Sequence, residues 1–531
     1  MRTFSRRQVL AGAAGAGVTG VIASTAGVGR GFATPGRAVP TTREEHRVVV
    51  IGSGFGGGVT ALRLTRAGVP VVLLERGRRW PTGPNSTTFP SATHPDKRIL
   101  WHQSTPQVFG RPLSVEPYVG LFESIAGQNM TPMVAAGWGG GSLVYQGMTL
   151  QPSEEVFGAH FPAGLDWPSM NGTYYPRVAR MLGAAVAPDA LIRSPNYRVV
   201  REFAAHVRRA GLPLEKIPMP IDWNYALAEL AGKMRPSYTN GDGAIGVNNG
   251  GKHSVDVTYL AQAEQTGLLD ARILHDVTEI HREPTGRWRV TANRTDETGR
   301  VLETVILSTP TLFLAAGSMN TSRMLVRAGA TGAITDLPDA VGTGWGTNAD
   351  RIYIWNAPTA DFGAAQGGPV VYGSLNWSDP QHAFTVIQAS IPPIPVNTHS
   401  TMMVAYGVSA GRGHFTYDAA TDQAVLQWPH EGDSILQNRY ITPAVNRIAG
   451  PDSTLIDTNA VLPSTWHPLG GASMGTVCDL EGRVHGQRGL YVVDGALMPG
   501  TCAACNPSMT IAAVAERALD RIVATDVGSL I

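Results

Sequence analysis

Residues 47–75 read RVVVIGSGFGGGVTALRLTRAGVPVVLLE, and this stretch decides the fold. Its two apolar runs, at 48–51 and 71–74, are typical of buried parallel strands, and the residues between them predict a helix through about Arg66. The turn after the first run fits G-x-G-x-x-G, with glycines at positions 52, 54 and 57. Glycine at these positions permits a tight turn, close approach of a pyrophosphate, and close packing of the helix on the strand.

The second strand of this unit ends at Glu75. At this spacing an acidic residue accepts hydrogen bonds from ribose hydroxyls, and the helix directs its N-terminal amides toward the phosphates. The stretch therefore predicts a dinucleotide site, with a plain βαβ turn as the alternative. The motif alone does not separate NAD from FAD. The predicted contacts are Gly52, Gly54, Phe55, Gly57 and Glu75.

Composition narrows the class of protein. A chain of 531 residues exceeds one comfortable hydrophobic core, which favours two domains. The 42 Lys and Arg nearly cancel the 41 Asp and Glu, so no basic stripe is expected that could neutralise nucleic-acid phosphates. The 62 glycines are consistent with an enzyme that has many tight loops around a bound cofactor.

The N-terminus predicts an export signal rather than a part of the fold. Arg6 and Arg7 precede a weakly apolar run, rich in Ala and Gly, that extends to about Ala26. A twin arginine before such a run is typical of twin-arginine signals, and the run has too many glycines for a membrane span. We expect secretion, with cleavage between Ala26 and Pro40. The alternative is a disordered tail with two chance arginines.

The cysteines predict no metal site. Cys478, Cys502 and Cys505 are an odd number, so in an exported protein at least one is a free thiol or pairs outside the chain. Cys502 and Cys505 fit C-x-x-C, which allows a redox role, while buried thiols or an incidental disulfide are the favoured alternatives. The nearby histidines lack the spacing of zinc ligands, so no metal is expected.

A second glycine cluster lies at 136–144 and reads AGWGGGSLV. A flexible linker is one interpretation. Apolar flanks on both sides favour the other, a loop that packs against a flat cofactor. The expected contacts are Gly139, Gly140, Gly141 and Ser142.

The middle of the chain predicts a return to the dinucleotide domain. Strands are expected at 273–280, which includes Val277, and at 288–292. The apolar run within 305–316 leads into a glycine turn at Gly317 and a helix.

The C-terminal segment predicts a further contact with the cofactor. A buried strand at 490–493 ends at Asp494 and Gly495, and Asn506 and Pro507 then open an amphipathic helix to about 525. An acid and a helix N-terminus close together suit phosphates or the polar edge of a ring.

The remaining segments predict a second domain. Helical spacing at 175–183 and 199–211 carries no chemical motif and is interpreted as scaffold. Residues 351–460 alternate apolar and polar in several places, as at 383–387 and 414–417, which is typical of antiparallel strands with one face covered.

These patterns predict an α/β fold of two domains. Residues 1–40 are the signal and linker. A Rossmann-like dinucleotide-binding domain with a parallel sheet is expected from the discontinuous segments 41–155, 251–345 and 461–531. An inserted substrate-binding domain with a mainly antiparallel sheet and helices is expected from 156–250 and 346–460.

Nine stretches spread over nearly the whole chain after the signal carry a family resemblance. They are IGSGFGGG (51–58), HPDKR (94–98), GWGGGSLV (137–144), FLAAGSMNTSRMLVRA (313–328), GTGWGTN (342–348), FTYDAATD (415–422), WHPLGG (466–471), LYVVDGALMPG (490–500) and NPSMTIAAVAER (506–517). With them the chain resembles the glucose–methanol–choline (GMC) flavoprotein oxidoreductases. FTYDAATD and GTGWGTN point to the non-covalent FAD cholesterol oxidases of actinobacteria. The resemblance implies FAD rather than NAD.

The resemblance also implies two polar side chains above the flavin, His467 and Asn506. A neutral imidazole suits acceptance of the alcohol proton, and Asn506 would orient the hydroxyl or lie against the reduced ring. Hydride then passes to flavin N5, and O2 reoxidises the flavin to give H2O2. The helix that begins near Ser508 would favour the anion of the reduced flavin. The implied activity is that of a secreted oxidase that converts cholesterol-like 3β-hydroxysteroids to 3-ketones.

One departure concerns the double-bond shift that follows oxidation in these sterol oxidases and uses a glutamate of the inserted domain. In VIQASIP (386–392) the matching residue is Gln388. An amide has no accessible acid–base couple at neutral pH, so we expect poor or absent isomerisation, or a substrate without the Δ5 bond. Tyr145 and Gln146 stand where smaller residues are expected, which predicts an altered cavity.

Two other functions stay open at this point. One is a flavin oxidase or dehydrogenase for another bulky apolar alcohol, and the other is a lipid-binding flavoprotein without turnover. The expected partners are a sterol or similar apolar alcohol and O2, with transient contact to a membrane surface through loops such as 78–95. We expect no stable membrane anchor, no nucleic acid and a monomer.

Overall fold

The βαβ unit of residues 47–75 is present in the computed structural model, which describes residues 39–102, 107–108, 111–112, 116–368, 370–393, 396–460 and 463–531. Strands Val48–Ile51 and Val71–Leu74 are buried along their whole length, and helix Phe55–Arg66 connects them. The predicted export signal lies outside the described residues.

The described residues form strands and helices that are numbered here in chain order. The strands are β1 (Thr41–Glu45), β2 (Val48–Ile51), β3 (Val71–Leu74), β4 (Gln107–Val108), β5 (Arg111–Pro112), β6 (Phe122–Ser124), β7 (Thr131–Ala135), β8 (Glu215–Lys216), β9 (Leu269–Arg272), β10 (His275–Arg282), β11 (Trp288–Thr295), β12 (Val301–Thr309), β13 (Thr311–Leu314), β14 (Arg351–Asn356), β15 (Tyr372–Asn376), β16 (Phe384–Ala389), β17 (Ser400–Gly407), β18 (His414–Asp418), β19 (Gln423–Gln427), β20 (Thr454–Asp457), β21 (Ser464–Thr465) and β22 (Leu490–Val492). The α-helices are α1 (Phe55–Arg66), α2 (Glu154–His160), α3 (Trp167–Ser169), α4 (Tyr175–Met181), α5 (Asp189–Ile192), α6 (Arg198–Arg209), α7 (Trp223–Leu230), α8 (Ala261–Gln265), α9 (Gly317–Ala330), α10 (Ser434–Leu436), α11 (Thr442–Ala449) and α12 (Pro507–Thr525).

A five-stranded parallel sheet in the order β22-β13-β2-β3-β9 forms the centre of the dinucleotide-binding part. In this sheet Val50 of β2 lies opposite Phe313 in one neighbouring strand and opposite Leu73 in the other. Strands β2 and β3 are apolar at every position because both faces of a parallel sheet are covered by helices. The strands predicted at 48–51, 71–74 and 490–493 are confirmed.

An antiparallel meander of β10, β11 and β12 forms a separate sheet, which β1 extends in parallel. Its first two strands confirm the predictions at 273–280 and 288–292, although β10 runs from His275 to Arg282 and β11 continues to Thr295. The pairing of β10 with β11 shifts register between Val277 and Glu279, which marks a β-bulge.

The second domain contains a six-stranded antiparallel sheet in the order β20-β14-β17-β16-β15-β8. Antiparallel strands are as predicted, but β16 and β17 are buried at every residue, so both faces are covered and not one. The hairpin of β18 and β19 is not part of this sheet. Its residues Phe415 and Leu426 cluster with Met319 of α9, in the dinucleotide-binding part.

Helices α2 to α4 pack on the first hydrophobic core and not on the second sheet. The Tyr175 hydroxyl lies 3.0 Å from Thr510 Oγ1, and Arg177 pairs with Asp520 at 3.0 Å, both partners being on α12. The buried apolar residues between Val156 and Leu182 therefore belong to the first core, whereas Ala187 and Leu191 belong to the second, which also contains Met148 and Leu150. Helical periodicity shows that a face is buried but not which core buries it.

Candidate active site

One cavity of ≈ 1860 Å³ collects most of the predicted site residues. The turns after β2, β3, β13 and β22 all reach its wall, because the carboxyl ends of parallel strands meet at one edge of the sheet. The predicted residues that line it are Gly52, Gly54, Phe55, Glu75, Gly140, Gly141, Val277, Gly317, His467, Asp494, Gly495, Asn506 and Pro507. The predicted residues that do not line it are Gly57, Gly139, Ser142 and Gln388.

The glycines of the first turn differ in what they permit. A Cβ on Gly57 would lie 2.0 Å from the carbonyl oxygen of Gly52, so this glycine allows α1 to pack on the turn. Gly52 has a φ of 97°, and its Cβ would lie 2.3 Å from the carbonyl oxygen of Ala315. A Cβ on Gly54 would meet no heavy atom within 4 Å. Gly54 therefore borders open space on the cavity wall, as close approach of a ligand requires.

The second glycine cluster lies directly against the first. A Cβ on Gly140 would lie 2.8 Å from Gly54 Cα, whereas a Cβ on Gly141 would meet nothing within 4 Å. Behind this wall the Ser142 hydroxyl donates to the carbonyl oxygen of Gly139 at 2.7 Å. Gly140 and Gly141 thus form cavity surface, while Gly139 and Ser142 brace the turn from outside.

Glu75 joins the two glycine turns from a buried position on the cavity wall. One carboxylate oxygen accepts from Ser53 N at 3.2 Å and Ser53 Oγ at 2.5 Å, and the other accepts from the amides of Gly77 at 2.8 Å and Gly137 at 3.2 Å. A carboxylate offers about four lone-pair positions, so a ribose hydroxyl would replace the Ser53 hydroxyl. That hydroxyl has a second acceptor, the Gly137 carbonyl oxygen at 3.1 Å, and stays bonded after such an exchange.

Two long helices begin at this cavity. The N-cap of α1 is Gly54 and that of α12 is Asn506, and neither helix has a side-chain capping hydrogen bond. Amides in the first turn of a helix lack intrahelical partners and favour anions. With the open space beside Gly54 and Gly141, these termini fit a pyrophosphate, so the described residues fit a dinucleotide such as FAD.

Asp494 organises the turn after β22. Its Oδ2 accepts from Thr321 Oγ1 at 2.6 Å and from Gly317 N at 2.8 Å, and its Oδ1 accepts from Ala496 N at 2.8 Å. Burial raises the pKa of Asp494 to about 6, against the lowering effect of these hydrogen bonds. The carboxyl thereby holds the start of α9 at the cavity wall, which both Gly317 and Asp494 line.

His467 has one ring nitrogen engaged and one available. Its Nδ1 lies 2.7 Å from Oδ1 of Asp350, whose side chain is 0% exposed. Tyr406 approaches the imidazole edge-on, with ring centroids 5.6 Å apart, and Trp466 lies on another side at 5.7 Å. Among the residues that the structure describes, Nε2 has no hydrogen-bond partner. Since His467 lines the cavity, Nε2 is the ring nitrogen that a bound molecule can reach.

The amide of Asn506 is occupied by the protein itself. Its Nδ2 donates to the Met148 carbonyl oxygen and to Ser508 Oγ, both at 2.6 Å, and its Oδ1 accepts from Leu150 N at 3.3 Å. Both N–H groups of the amide are therefore in use. The amide oxygen has a second lone pair that a substrate hydroxyl could use, and the observed contacts hold segment 148–150 against the start of α12.

His467 and Asn506 lie on the same cavity wall and are linked through two further residues. The Tyr406 hydroxyl donates to Met148 Sδ at 3.1 Å, and the Tyr406 ring contacts the imidazole. Met148 in turn accepts from Asn506 through its backbone carbonyl. The two predicted catalytic residues thus line one cavity and are connected through Tyr406 and Met148, although they are 39 positions apart in the sequence.

Gln388 does not line the cavity, which corrects the prediction for this position. It is 1% exposed, its Nε2 donates to Ser390 Oγ at 3.2 Å, and its Oε1 has no hydrogen-bond partner. Successive strand residues point to opposite faces, so at the end of β16 Ala389 reaches the cavity and Gln388 does not. Just beyond the strand, Ser390 also lines the cavity.

Tyr145 and Gln146 both line the cavity, and a buried lysine lies behind them. Lys252 Nζ is 4.8 Å from the centre of the Tyr145 ring and donates to the carbonyl oxygens of Leu143 and Tyr145. Burial lowers the pKa of Lys252 to about 7. The lysine thus holds the end of the 3-10 turn Gly140–Leu143, whose glycines form cavity surface.

The three cysteines were considered in the sequence as candidates for a redox role, and the structure shows how each of them is placed. Cys478, Cys502 and Cys505 are buried free thiols, and burial raises the pKa of each, which disfavours the reactive thiolate. Within the described ranges, no cluster of His, Cys, Asp and Glu could hold a metal ion. In the same ranges, none of the helices combines the length and the apolar composition of a membrane span.

Three residues of the site were not predicted from the sequence, namely Asp350, Tyr406 and Met148. The motif GTGWGTN (342–348) ends two residues before Asp350, which was a usable signal, because a polar residue beside a family motif is a candidate for the site. The partner of Asp350, however, lies 117 residues further along the chain. Nothing in the local pattern indicates that pairing.

Known proteins with similar sequences are oxidoreductases. Residues 433–515 match the family model of the GMC oxidoreductases. The chain is 24% identical to a cholesterol oxidase of Acinetobacter baumannii, over 90% of this chain and 94% of the relative, and 26% identical to a cholesterol oxidase of Mycobacterium tuberculosis, over 90% and 91%. It is also 24% identical to an oxygen-dependent choline dehydrogenase of Pseudomonas putida, over 90% and 94%.

Solved structures share the fold at lower sequence identity. A pyridoxine 4-oxidase from Mesorbium loti superposes with a TM-score of 0.62 at 14% identity, over 90% of this chain and 99% of that chain. A fungal aryl-alcohol oxidase superposes with a TM-score of 0.60 at 14% identity, over 92% and 100%. This likeness establishes the α/β two-domain fold alone. The matched region at 433–515 and the sequence relatives show that the C-terminal part of the chain is similar to the GMC oxidoreductases.

Proposed function

We propose that the protein is an FAD-dependent sterol oxidase that converts 3β-hydroxysteroids such as cholesterol to 3-ketones, with O2 reduced to H2O2. The observation that carries the proposal is one cavity that joins a glycine-lined dinucleotide cradle to an imidazole with an available Nε2. GMC oxidoreductases are flavoproteins, typically with FAD, and we propose that FAD is bound non-covalently here. Bound FAD would supply the acceptor for the carbon-bound hydrogen and electrons of the alcohol and pass the electrons to O2.

His467 would take the hydroxyl proton of the alcohol at Nε2. Proton transfer to a positioned histidine typically contributes about 10²–10⁴-fold to a rate, provided that the nitrogen is within hydrogen-bond reach. The ring contacts of Tyr406 and Trp466 limit rotation of the imidazole. Asn506 would act mainly by holding segment 148–150, which forms part of the wall beside His467.

The cavity wall beside Tyr406 suits a bulky apolar substrate. Ile352 of β14 lies opposite Val404 of β17 in the sheet register, and both line the cavity together with Met402 and Met148. Burial of apolar surface contributes about 25 cal/mol per Å², so such a wall favours a hydrocarbon skeleton over a small polar alcohol. The similarity to two cholesterol oxidases supports a sterol in this role.

Oxidation of another bulky apolar alcohol, by oxidase or dehydrogenase action, is the second candidate. Its support is the similarity to an oxygen-dependent choline dehydrogenase, which has the same 24% identity as one of the cholesterol oxidases. A panel of sterols and other alcohols with peroxide detection separates the two candidates, and artificial electron acceptors separate oxidase from dehydrogenase.

Oxidation without a double-bond shift is part of the proposal. In the segment that the resemblance assigns to the glutamate, Ala389 and Ser390 line the cavity, and neither a methyl group nor a hydroxyl has an acid–base couple that shuttles a proton at neutral pH. With cholesterol we expect the unconjugated Δ5 ketone. Rapid growth of the ultraviolet absorbance of the conjugated enone contradicts this, and it would direct attention to Asp242, whose carboxyl also belongs to the cavity wall.

Anaerobic bleaching of the flavin absorbance by cholesterol tests the central proposal. Wild-type protein should be reduced by the sterol, and admission of O2 should restore the oxidised spectrum and release H2O2. His467→Ala should retain FAD and lose at least about 100-fold in the rate of bleaching. Flavin that no alcohol reduces contradicts the proposal and favours a lipid-binding protein without turnover.

We also propose that the protein is exported by the twin-arginine route and that it acts as a monomer. It would take its sterol from a bilayer by transient contact with the membrane surface. Arg6 and Arg7 in the sequence support the export signal. Sequencing the N-terminus of protein recovered from culture medium tests export. A secreted protein that still begins at Met1 contradicts cleavage of a signal.

A further inference from the structure

We propose that Asp350 is a positioning residue for alcohol oxidation, because its carboxylate fixes His467 in the tautomer with the proton on Nδ1 and the lone pair on Nε2. The inference rests on the proposed function and deepens it for the same site. Nothing in the sequence motifs assigns a role to Asp350, which lies between the motif GTGWGTN and β14.

The hydrogen bond between the two side chains sets the tautomer. Asp350 Oδ1 lies 2.7 Å from His467 Nδ1. An ionised carboxylate can only accept hydrogen bonds, so Nδ1 must carry the proton in this contact. A neutral imidazole has one N–H, and Nε2 therefore keeps its lone pair. Because His467 lines the cavity, that lone pair is the one available to a substrate hydroxyl.

The carboxylate is itself held in place by the chain around His467. Its Oδ2 accepts from Thr465 Oγ1 at 2.6 Å and from Trp466 N at 3.1 Å. Thr465 Oγ1 also accepts from His467 N at 3.0 Å, so residues 465–467 wrap around the carboxylate. On the other side, Asn459 Nδ2 donates to the Asp350 carbonyl oxygen at 2.9 Å. Position and orientation of the carboxylate are thus determined before a substrate binds.

The charge of Asp350 also stabilises the protonated form of His467. Among the described residues, His467 is the only side chain that forms an ion pair with Asp350. A buried carboxylate stabilises an opposite charge close to it. When Nε2 accepts the hydroxyl proton, the imidazolium that forms lies 2.7 Å from the carboxylate. In Ser-His-Asp hydrolases, replacing such an aspartate by asparagine lowers kcat by about 10⁴-fold through the wrong tautomer.

The first test replaces Asp350 by asparagine. The new amide can donate to Nδ1, which moves the ring proton to Nε2 and removes the base. We expect Asp350→Asn to lower kcat about 10²–10⁴-fold, with KM and bound FAD within about twofold of wild type. The matched control is Asp433→Asn, another buried carboxyl, which accepts from Thr347 and Ser409 and, among the described residues, makes no hydrogen bond to His467. It should keep kcat within about threefold.

A double-mutant cycle separates positioning from a structural role. A residue that acts through His467 has nothing left to position once the imidazole is gone, so Asp350→Asn should cost no more than about twofold in the His467→Ala background. Equal losses in both backgrounds would overturn the inference, as would a single variant with more than one tenth of wild-type kcat. If Asp350→Asn fails to fold, the inference is tested instead with Thr465→Val, which removes the hydroxyl that donates to Asp350, and with Thr465→Ser, which keeps it. The valine variant should lose at least about tenfold in kcat and the serine variant should recover it.

A measurement without substrate distinguishes failure of this inference from failure of the proposed function. Two-bond ¹H–¹⁵N spectra of protein labelled with ¹⁵N-histidine report which ring nitrogen carries the proton, and His467→Ala identifies the signal. We expect Nδ1–H in wild type and a shift toward Nε2–H in Asp350→Asn. Nε2–H in wild type overturns the inference. Wild-type protein that shows Nδ1–H but oxidises no alcohol contradicts the proposed function instead.

Discussion

Replacing Gly54 by alanine should separate cofactor binding from folding. Gly54 has φ −68° and ψ −162°, which alanine adopts without strain, and its Cβ would meet no heavy atom within 4 Å. Restriction of the unfolded chain stabilises the variant by about 0.4–1 kcal/mol, and the poorer N-cap offsets this by a similar amount. The cofactor-free protein should therefore unfold within about 1 kcal/mol of wild type.

The same methyl group would fill the space that Gly54 leaves open at the start of α1. A ligand present at 100 times its Kd stabilises the folded state by about 2.7 kcal/mol, and the variant should lose this increment. Gly57→Ala is the contrasting control, since its Cβ would lie 2.0 Å from a backbone oxygen and should destabilise the protein by about 1–3 kcal/mol even without FAD.

Thermal and denaturant unfolding with and without added FAD, together with flavin absorbance after gel filtration, measure both quantities. For Gly54→Ala we expect cofactor-free stability like that of wild type, no gain on addition of FAD, and colourless protein. Wild-type affinity for FAD in this variant would refute the assignment of the first glycine turn to the pyrophosphate. A large loss of cofactor-free stability would refute the reading of Gly54 as free of structural contacts.

Three other substitutions have outcomes that the contacts define. Asn506→Ala removes the amide that bonds Met148 O and Leu150 N. The variant should lose about 1–3 kcal/mol in unfolding free energy and contain less FAD. Unchanged stability would show that Asn506 does not hold segment 148–150 in place. Burial raises the pKa of Asp433 to about 6, so its contribution favours the folded state at low pH and is lost as pH rises through 6. Between pH 5 and 7, Asp433→Asn should gain about 1 kcal/mol relative to wild type in denaturant unfolding, and a constant difference would contradict the raised pKa. Burial lowers the pKa of Lys252 to about 7, so wild-type stability should rise above pH 7 by about 1 kcal/mol per unit, a slope that Lys252→Met should lack.

The sequence by itself determined the elements whose causes lie within a few residues. The apolar runs at 48–51 and 71–74, the glycines at 52, 54 and 57, and Glu75 predict a strand, turn, helix and strand that the structure contains. Such patterns are local, because a glycine turn and a buried strand each depend on consecutive side chains. The strand bounds near 275 and 295 were less predictable, since a strand ends where its partner stops pairing.

Only the tertiary structure decided which side chains face the cavity and which partners they have. One residue of register separates Ala389 on the wall from Gln388 behind it, and sequence similarity does not resolve register at that level. The sequence pattern of helices α2 to α4 fits either domain, but in the structure their apolar faces pack on the first core. The carboxylate of Asp350 meets the imidazole of His467 across 117 residues, because the segment before β14 and the segment after β21 converge there. Hydrogen bonds of this kind depend on the packing of whole elements, and the sequence near either residue does not contain that information.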